Sequence, residues 1–287
     1  MLGRRRFLQT SLCAGISVFA SRPWASAAEA DKAYLDYDVT RDVLTKLFDG
    51  TRCWCHPRAG IVPGAGADGG PRVVMTMNTL HLEGSDVFKG MYGLQTDDLS
   101  RTWTEPAEIE TLAPQYWTID DQRRPVAVSD FWPKWHAASR TLLGTGHTVV
   151  YTPDWKVRRP RPRHVAYSTY DPATSGWSDW KALDLSLDEK FHDAGAGCTQ
   201  RVDLPDGTIL LPFYFVPAGT NSRVAVAHCA FDGETLKYLK HGSELTIDDK
   251  TRGLHEPPLT RGEDEFFLTM RNDKRGVAPQ GTDGGHC

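Results

Sequence analysis

An all-β fold is what this sequence predicts, and three observations carry the prediction. Short hydrophobic runs recur with turn signals between them, a helical period is almost absent, and the 287 residues include nine tryptophans, 26 glycines and 18 prolines. That is a composition of strands joined by turns. The length admits one large all-β domain or two smaller ones, and either buries a core. With 40% hydrophobic and 24% charged residues, the balance is that of a soluble globular protein.

Residues 1–27 read as a targeting segment. Arg4, Arg5 and Arg6 run into Phe7 and Leu8, an apolar stretch follows, and Ala25-Ser26-Ala27 forms a small-residue cleavage site. The pattern resembles a twin-arginine export signal, so the mature protein is expected to be exported, periplasmic or secreted. The apolar run is too short and too polar to span roughly 30 Å of hydrocarbon, and no later stretch approaches that length; no membrane span is expected once the signal is removed. Loss of its four arginines takes the formal charge from -4 to about -8, which argues against nucleic acid as a partner.

Residues 28–50 form a lead-in. Within it, Val39, Val43, Leu44 and Phe48 share one helical face, predicting a short helix over Asp38 to Phe48. Next comes "CWCHP", where Cys53 and Cys55 lie on one face of a strand, a poor arrangement for a disulfide between them. These thiols with His56 have metal-ligand chemistry, but no second cluster stands at ligand spacing, so they are read as strand cysteines, and no metal is expected. Strands follow at "PRVVMTMNTL", "DGTILLPFYFVP", entered from a Pro-Asp-Gly turn, "SRVAVAHCAF" and "DEFFLTMRN". The basic run "KVRRPRPRH", Lys156 to His164, is held extended by its prolines and reads as a solvated loop.

Three turns repeat. "TDDLSRTWTEP", "YDPATSGWSDW" and "FDGETLKYL" each place an aspartate, Asp98, Asp171 or Asp232, before an aromatic or hydrophobic strand residue. They stand roughly 60 to 75 residues apart, which suits four-stranded propeller blades with long loops. The first resembles the Asp-box of sialidases, S-x-D-x-G-x-T-W, with Thr96 for the serine and Ser100 for the glycine; Asp98, Thr102 and Trp103 fit. A carboxylate accepting backbone amides closes such a turn, and the large ring anchors it.

Four segments resemble the sialidase family in order: "HPRAGIVPG" with Arg58, "LHLEGSDVFKGMYGLQTDD" with Asp86, the glycine-rich "AGAGCTQRVDLPDGTILLPFYF", and "HEPPLTRGEDEFFLTMRND" with Glu256 and Arg271. The order of arginine and proline at Arg58 is inverted relative to the family motif. The resemblance implies a six-bladed β-propeller over residues 51–276, of which about four blades are present. It also implies a glycoside hydrolase acting on acidic glycans or glycoconjugates, with no cofactor. Arginines suit a sugar carboxylate because each guanidinium offers bidentate, charge-assisted hydrogen bonds; Arg58 and Arg271 are the expected members. Sialidases use a tyrosine nucleophile, and Glu256 matches the glutamate that takes its proton. Asp86 matches the acid/base aspartate, a role that needs a raised pKa. In "SDFWPKWHAAS", Trp135 and His136 suit stacking on a sugar ring and bonding its hydroxyls, or equally blade core. "GTGHTVVYTP" sets His147 beside glycine.

The expected tyrosine and third arginine belong to blades that would follow. Residues 277–287 carry no strand pattern and read as a cut or frame-shifted tail. Two other readings stay open: a propeller glycosidase using Asp86 and Glu256 as a carboxylate pair, and a non-catalytic carbohydrate-binding propeller.

Overall fold

The computed structural model describes residues 38–185, 188–247 and 252–272. The expected targeting segment, residues 1–27, and the tail 277–287 lie outside the described residues. The chain divides into units Met1–Asp42 and Val43–Cys287, and every strand belongs to the second. Among the described residues there is no α-helix, and none is long and apolar enough to cross a membrane.

Sheet one is an antiparallel meander of β1 (Arg52–Val62), β2 (Arg72–His81), β3 (Phe88–Thr96) and β4 (Ala107–Glu108). Sheet two holds β5 (Gln115–Ile119), β6 (Gln122–His136), β7 (Thr141–Val150), β8 (Val165–Asp171), β9 (Gly176–Trp177) and β10 (Lys181–Ala182), ordered β10-β8-β7-β6-β5 with β9 also on β8. In sheet three, β11 (Ala194–Gly195) and β12 (Val202–Asp203) both pair with β13 (Ile209–Phe215), which continues to β14 (Arg223–Phe231) and β15 (Leu236–His241). Two short ladders follow, β16 (Leu254–His255) with β19 (Arg271–Asn272) and β17 (Leu259–Arg261) with β18 (Phe266–Leu268).

The hydrophobic runs predict these strands well. "PRVVMTMNTL", "DGTILLPFYFVP" and "SRVAVAHCAF" become β2, β13 and β14, whereas "DEFFLTMRN" splits into β18 and β19 because its partner strand is itself broken at Glu256. The core lies between successive sheets. Val62, Val74, Met91, Val126, Phe131, Leu142 and Trp177 join sheets one and two; Leu143, Val165, Ile209, Leu211, Phe213 and Phe215 join sheets two and three. Each such buried side chain contributes about 1.5–3 kcal/mol relative to exposure.

The three aspartate turns occupy one topological place, the hairpin after the third long strand or its equivalent. Asp98 accepts from the Thr102 amide (2.9 Å), the Thr102 hydroxyl (2.7 Å) and the Thr96 hydroxyl (2.8 Å), and these bonds hold its carboxyl down to about 2. Asp171 accepts from the Ala173 amide, and Asp232 from the amides of Glu234 and Thr235. Trp103 is half-buried.

The helix expected over Asp38 to Phe48 does not form. Residues 38–47 have neither helix nor strand, and Phe48 bridges to Cys53 instead. Its apolar face stays open, with Val39 and Phe48 79% and 76% exposed, and so short a segment does not hold a helix without burial.

Candidate functional site

A backbone feature repeats where each sheet approaches the others. The long strand β1 shifts register between Cys55 and Arg58, and β6 between Ser129 and Trp132; β11 gives way to β12, and β16 to β17, across similar breaks. A non-glycine residue with left-handed φ stands in each break: His56 (53°), Asp130 (49°), Cys198 (56°) and Glu256 (49°). His and Asp tolerate this region better than Cys and Glu, and each such residue costs roughly 1–3 kcal/mol that the surrounding structure must offset. Bulges re-aim side chains. Here they bring the breaks together: His56 Nδ1 is 3.3 Å from Asp130 Oδ1, and Arg58 Nη2 is 3.7 Å from the same oxygen and 3.8 Å from Cys198 Sγ.

Beside these breaks opens a polar cavity of about 340 Å³. Asp86, Asp130, His147, Arg161, Arg163, Tyr214, Arg252, His255, Glu256 and Arg271 line it, with Arg159 at its edge. Five arginines thus face three carboxylates. Arg271 Nη1 donates to Glu256 Oε1 at 3.0 Å, a pair made possible because β16 and β19 set His255 opposite Arg271. Arg161 Nη2 donates to Asp86 Oδ2 at 2.6 Å. Asp86 is also left-handed (61°), and the buried Tyr151 hydroxyl fixes its loop by donating to the Asp86 carbonyl at 2.8 Å and accepting from the Phe88 amide at 2.9 Å.

Arg163 is buried. Its Nε donates to Asp193 Oδ1 at 2.8 Å and its guanidinium lies 4.6 Å over the Tyr214 ring, an arrangement in which the aromatic face attracts the cation. Burial pushes the Tyr214 hydroxyl up to about 12, with Glu256 and Asp130 adding to it against the opposing Arg163 charge. His147 is buried and forced down to about 4, first by desolvation and then by Arg163 and Arg161, against the pull of Asp130 and Asp86; it is neutral at pH 7. The glycine-rich segment explains its fit: a Cβ on Gly197 would meet His147 Nδ1 at 1.7 Å, and one on Gly195 would meet the His147 Cβ at 2.7 Å. Only glycine lets this backbone lie against the imidazole.

The expected residues divide. Asp86, Glu256 and Arg271 meet in one cavity. Arg58 does not line it; it stands behind Asp130, stacked 5.1 Å over the Trp132 ring. Trp135 lies in a separate cleft with Trp132, Lys134 and Arg201. His136 is 1% exposed, with Nδ1 2.7 Å from the Ser139 hydroxyl and Nε2 donating to the Gly207 carbonyl at 3.0 Å. Both nitrogens serve the fold, so His136 is corrected to a packing residue, while Trp135 lies outside the polar cavity. Asp86 also departs from expectation. Burial raises its pKa, but the hydrogen bond and charge of Arg161, with His147 and His56, outweigh burial and leave it below the usual carboxylate range.

The run read as a solvated loop supplies the largest surprise. The run Arg159-Pro160-Arg161-Pro162-Arg163 bends at Arg159 and Pro160, and its three arginines all line the cavity. Tyr214 sat unmarked inside a hydrophobic strand.

No protein-family model and no curated protein matches the chain. Solved structures do. A Hadza microbial sialidase superposes with a TM-score of 0.55 at 12% identity, over 77% of this chain and 42% of that one. The chain has the fold of a sialidase propeller. A Trypanosoma rangeli sialidase in complex with 2-keto-3-deoxy-D-glycero-D-galacto-2,3-difluoro-nononic acid aligns at a TM-score of 0.49 and 14% identity, over 77% of this chain and 34% of that one. The chain therefore spans less than half the length of these sialidases. Its three sheets are blades of that fold, and the cavity opens where their left-handed breaks meet.

Proposed function

We propose that this cavity binds the acidic sugar of a glycan, and that the protein belongs to a sialidase-like glycosidase activity. The observation that carries the reading is the meeting of Glu256, Arg271, Asp86 and the Arg161–Arg163 segment, from three parts of the chain, around one space of monosaccharide size. Arg271 supplies the charge-assisted bonds to the sugar carboxylate. Glu256, within 3.0 Å of Arg271, is the base that would take the proton of the tyrosine nucleophile the sialidase resemblance implies, and Asp86 faces the leaving oxygen. For Asp86 to hold a proton there, its bond to Arg161 must first open. The turn at Asp98 serves as the Asp-box of its blade, and the amino-terminal arginines direct export, which fractionation of cells expressing the full chain tests.

A carbohydrate-binding role without turnover is the second reading. It is favoured by one observation: both candidate acid/base carboxylates, Asp86 and Glu256, are held in ion pairs with arginines. Release of a fluorescent aglycone from a sialoside separates the two. The enzyme reading expects release by the full chain and a fall of about 10²- to 10⁴-fold in Glu256→Gln; saturable sugar binding with no release supports the binding protein.

A further inference from the structure

Charged side chains around the cavity hold one another: Asp86 with Arg161, Glu256 with Arg271, and Arg163 with Asp193. His147 lines the same space and holds nothing. It is 7% exposed and forms no hydrogen bond among the described residues, and its Nδ1 is wholly enclosed. A polar side chain so buried normally finds a partner within the fold. Its place is nevertheless fixed. β7 sets His147 opposite Ser129, beside the break at Asp130. Gly195 and Gly197 press on it from one side, and Tyr214 lies edge-on with ring centroids 6.4 Å apart.

The packing decides which nitrogen is available. Gly197 lies against the Nδ1 and Cε1 corner of the ring, so the edge left to line the cavity is the opposite one, which carries Nε2. A neutral imidazole has one proton to place. On Nδ1 it would be an orphaned buried donor, which folds avoid more strongly than an unfilled acceptor; on Nε2 it faces the space where a ligand can accept it. The sugar carboxylate falls to the guanidiniums, whereas an N–H that shares its wall with Asp130 and Asp86 suits an oxygen without charge. We infer that His147 is a specificity-determining residue, donating from Nε2 to one uncharged oxygen of the acidic sugar, either a hydroxyl or the carbonyl of an acyl substituent. The inference rests on the acidic-sugar reading of the cavity. A donor already locked in place loses little freedom on binding, and a sugar without that oxygen leaves the N–H unpaired in the complex.

Titration of the full chain, observed by nuclear magnetic resonance of the sugar, tests it. The probes are N-acetylneuraminic acid, the deoxy analogues that each lack one hydroxyl, and the analogue with a hydroxyl in place of the acylamino group. At least one analogue is expected to bind about tenfold more weakly than the parent; a deoxy analogue identifies a hydroxyl as the oxygen read, and the analogue without the acyl group identifies the carbonyl. Substitution then locates the donor. His147→Asn should weaken the parent about tenfold and erase the deficit of that one analogue, because the bond is already gone. His147→Gln, whose amide nitrogen can stand where Nε2 stands, should recover the parent to within about threefold of wild type. If the parent binds and every analogue equals it, no oxygen is read by a buried donor and the inference is overturned on the wild-type protein alone. Deficits that persist unchanged in His147→Asn, as a structural role would leave them, or a Gln variant as weak as Asn, also overturn it; in each case the acidic-sugar reading stands. If the parent does not bind, both fall.

Discussion

Two arginine-rich regions of this protein look alike in sequence and differ in what their nitrogens do. Arg201, in the cleft with Trp132 and Trp135, is 3% exposed and gives Nε to Asp203 (2.9 Å), Nη1 to the Leu143 carbonyl (2.8 Å) and Nη2 to the Lys134 carbonyl (2.7 Å). Every nitrogen is committed to tying β6, β7 and β12 together. Arg161, in the polar cavity, commits one nitrogen to one carboxylate. A buried polar group normally finds its partners within the fold; where it does not, a ligand is the natural complement. The unfilled donors, more than the number of arginines, separate a binding surface from a strut.

The comparison breaks if the two arginines respond alike to removal. Arg201→Ala takes the buried guanidinium from Asp203 and from the Leu143 and Lys134 carbonyls, and should cost about 3–5 kcal/mol in denaturant unfolding. Arg161→Gln should cost about 1 kcal/mol or less. Equal losses would make Arg161 a structural residue.

His147 sharpens the same contrast from the other side of the cavity. Its pKa falls from 6.5 to about 4 on folding, so the unfolded chain binds the proton more readily. The neutral ring's contribution is complete above pH 6.5 and is lost as pH falls toward 4. Between pH 7 and 4.5 wild type should lose about 2–3 kcal/mol through this residue, and His147→Gln should show a decline smaller by that amount. Identical pH slopes would contradict the burial account.

The smallest effect belongs to the blade turn. Asp98 is half-buried and held to about 2, so its contribution is present above the ordinary 3.8 and disappears as pH falls through about 2. Asp98→Ala should lower the thermal midpoint slightly at pH 7 and leave sugar binding unchanged; an altered sugar affinity would tie the turn to the cavity.

Much of the fold is legible in the sequence because its strands are hydrophobic runs bounded by glycine, proline and aspartate, and local chemistry sets those. The aspartate turns are legible for the same reason. Glu256 and Arg271 stand out because they flank one hairpin. Asp86 is found, yet its ion pair is not, since Arg161 comes from a distant loop. The four left-handed breaks are hidden more deeply: His56, Asp130, Cys198 and Glu256 share a backbone conformation and no side-chain type, and packing imposes it. His136 and Trp135 mislead because a polar, aromatic run suits a sugar pocket, whereas the fold commits His136 to Ser139 and Gly207 and sets Trp135 in a different cleft. The lead-in helix fails because a periodic face predicts a helix only where something covers it.

The central claim is that the cavity of Arg271, Glu256, Asp86 and Arg161 holds an acidic sugar. Titrating the full chain with N-acetylneuraminic acid, observed by nuclear magnetic resonance of the sugar, tests it most directly. Saturable binding that Arg271→Gln weakens at least tenfold and Lys134→Ala, in the other cleft, leaves intact is the result predicted. Absence of binding, or affinity indifferent to Arg271, would contradict it.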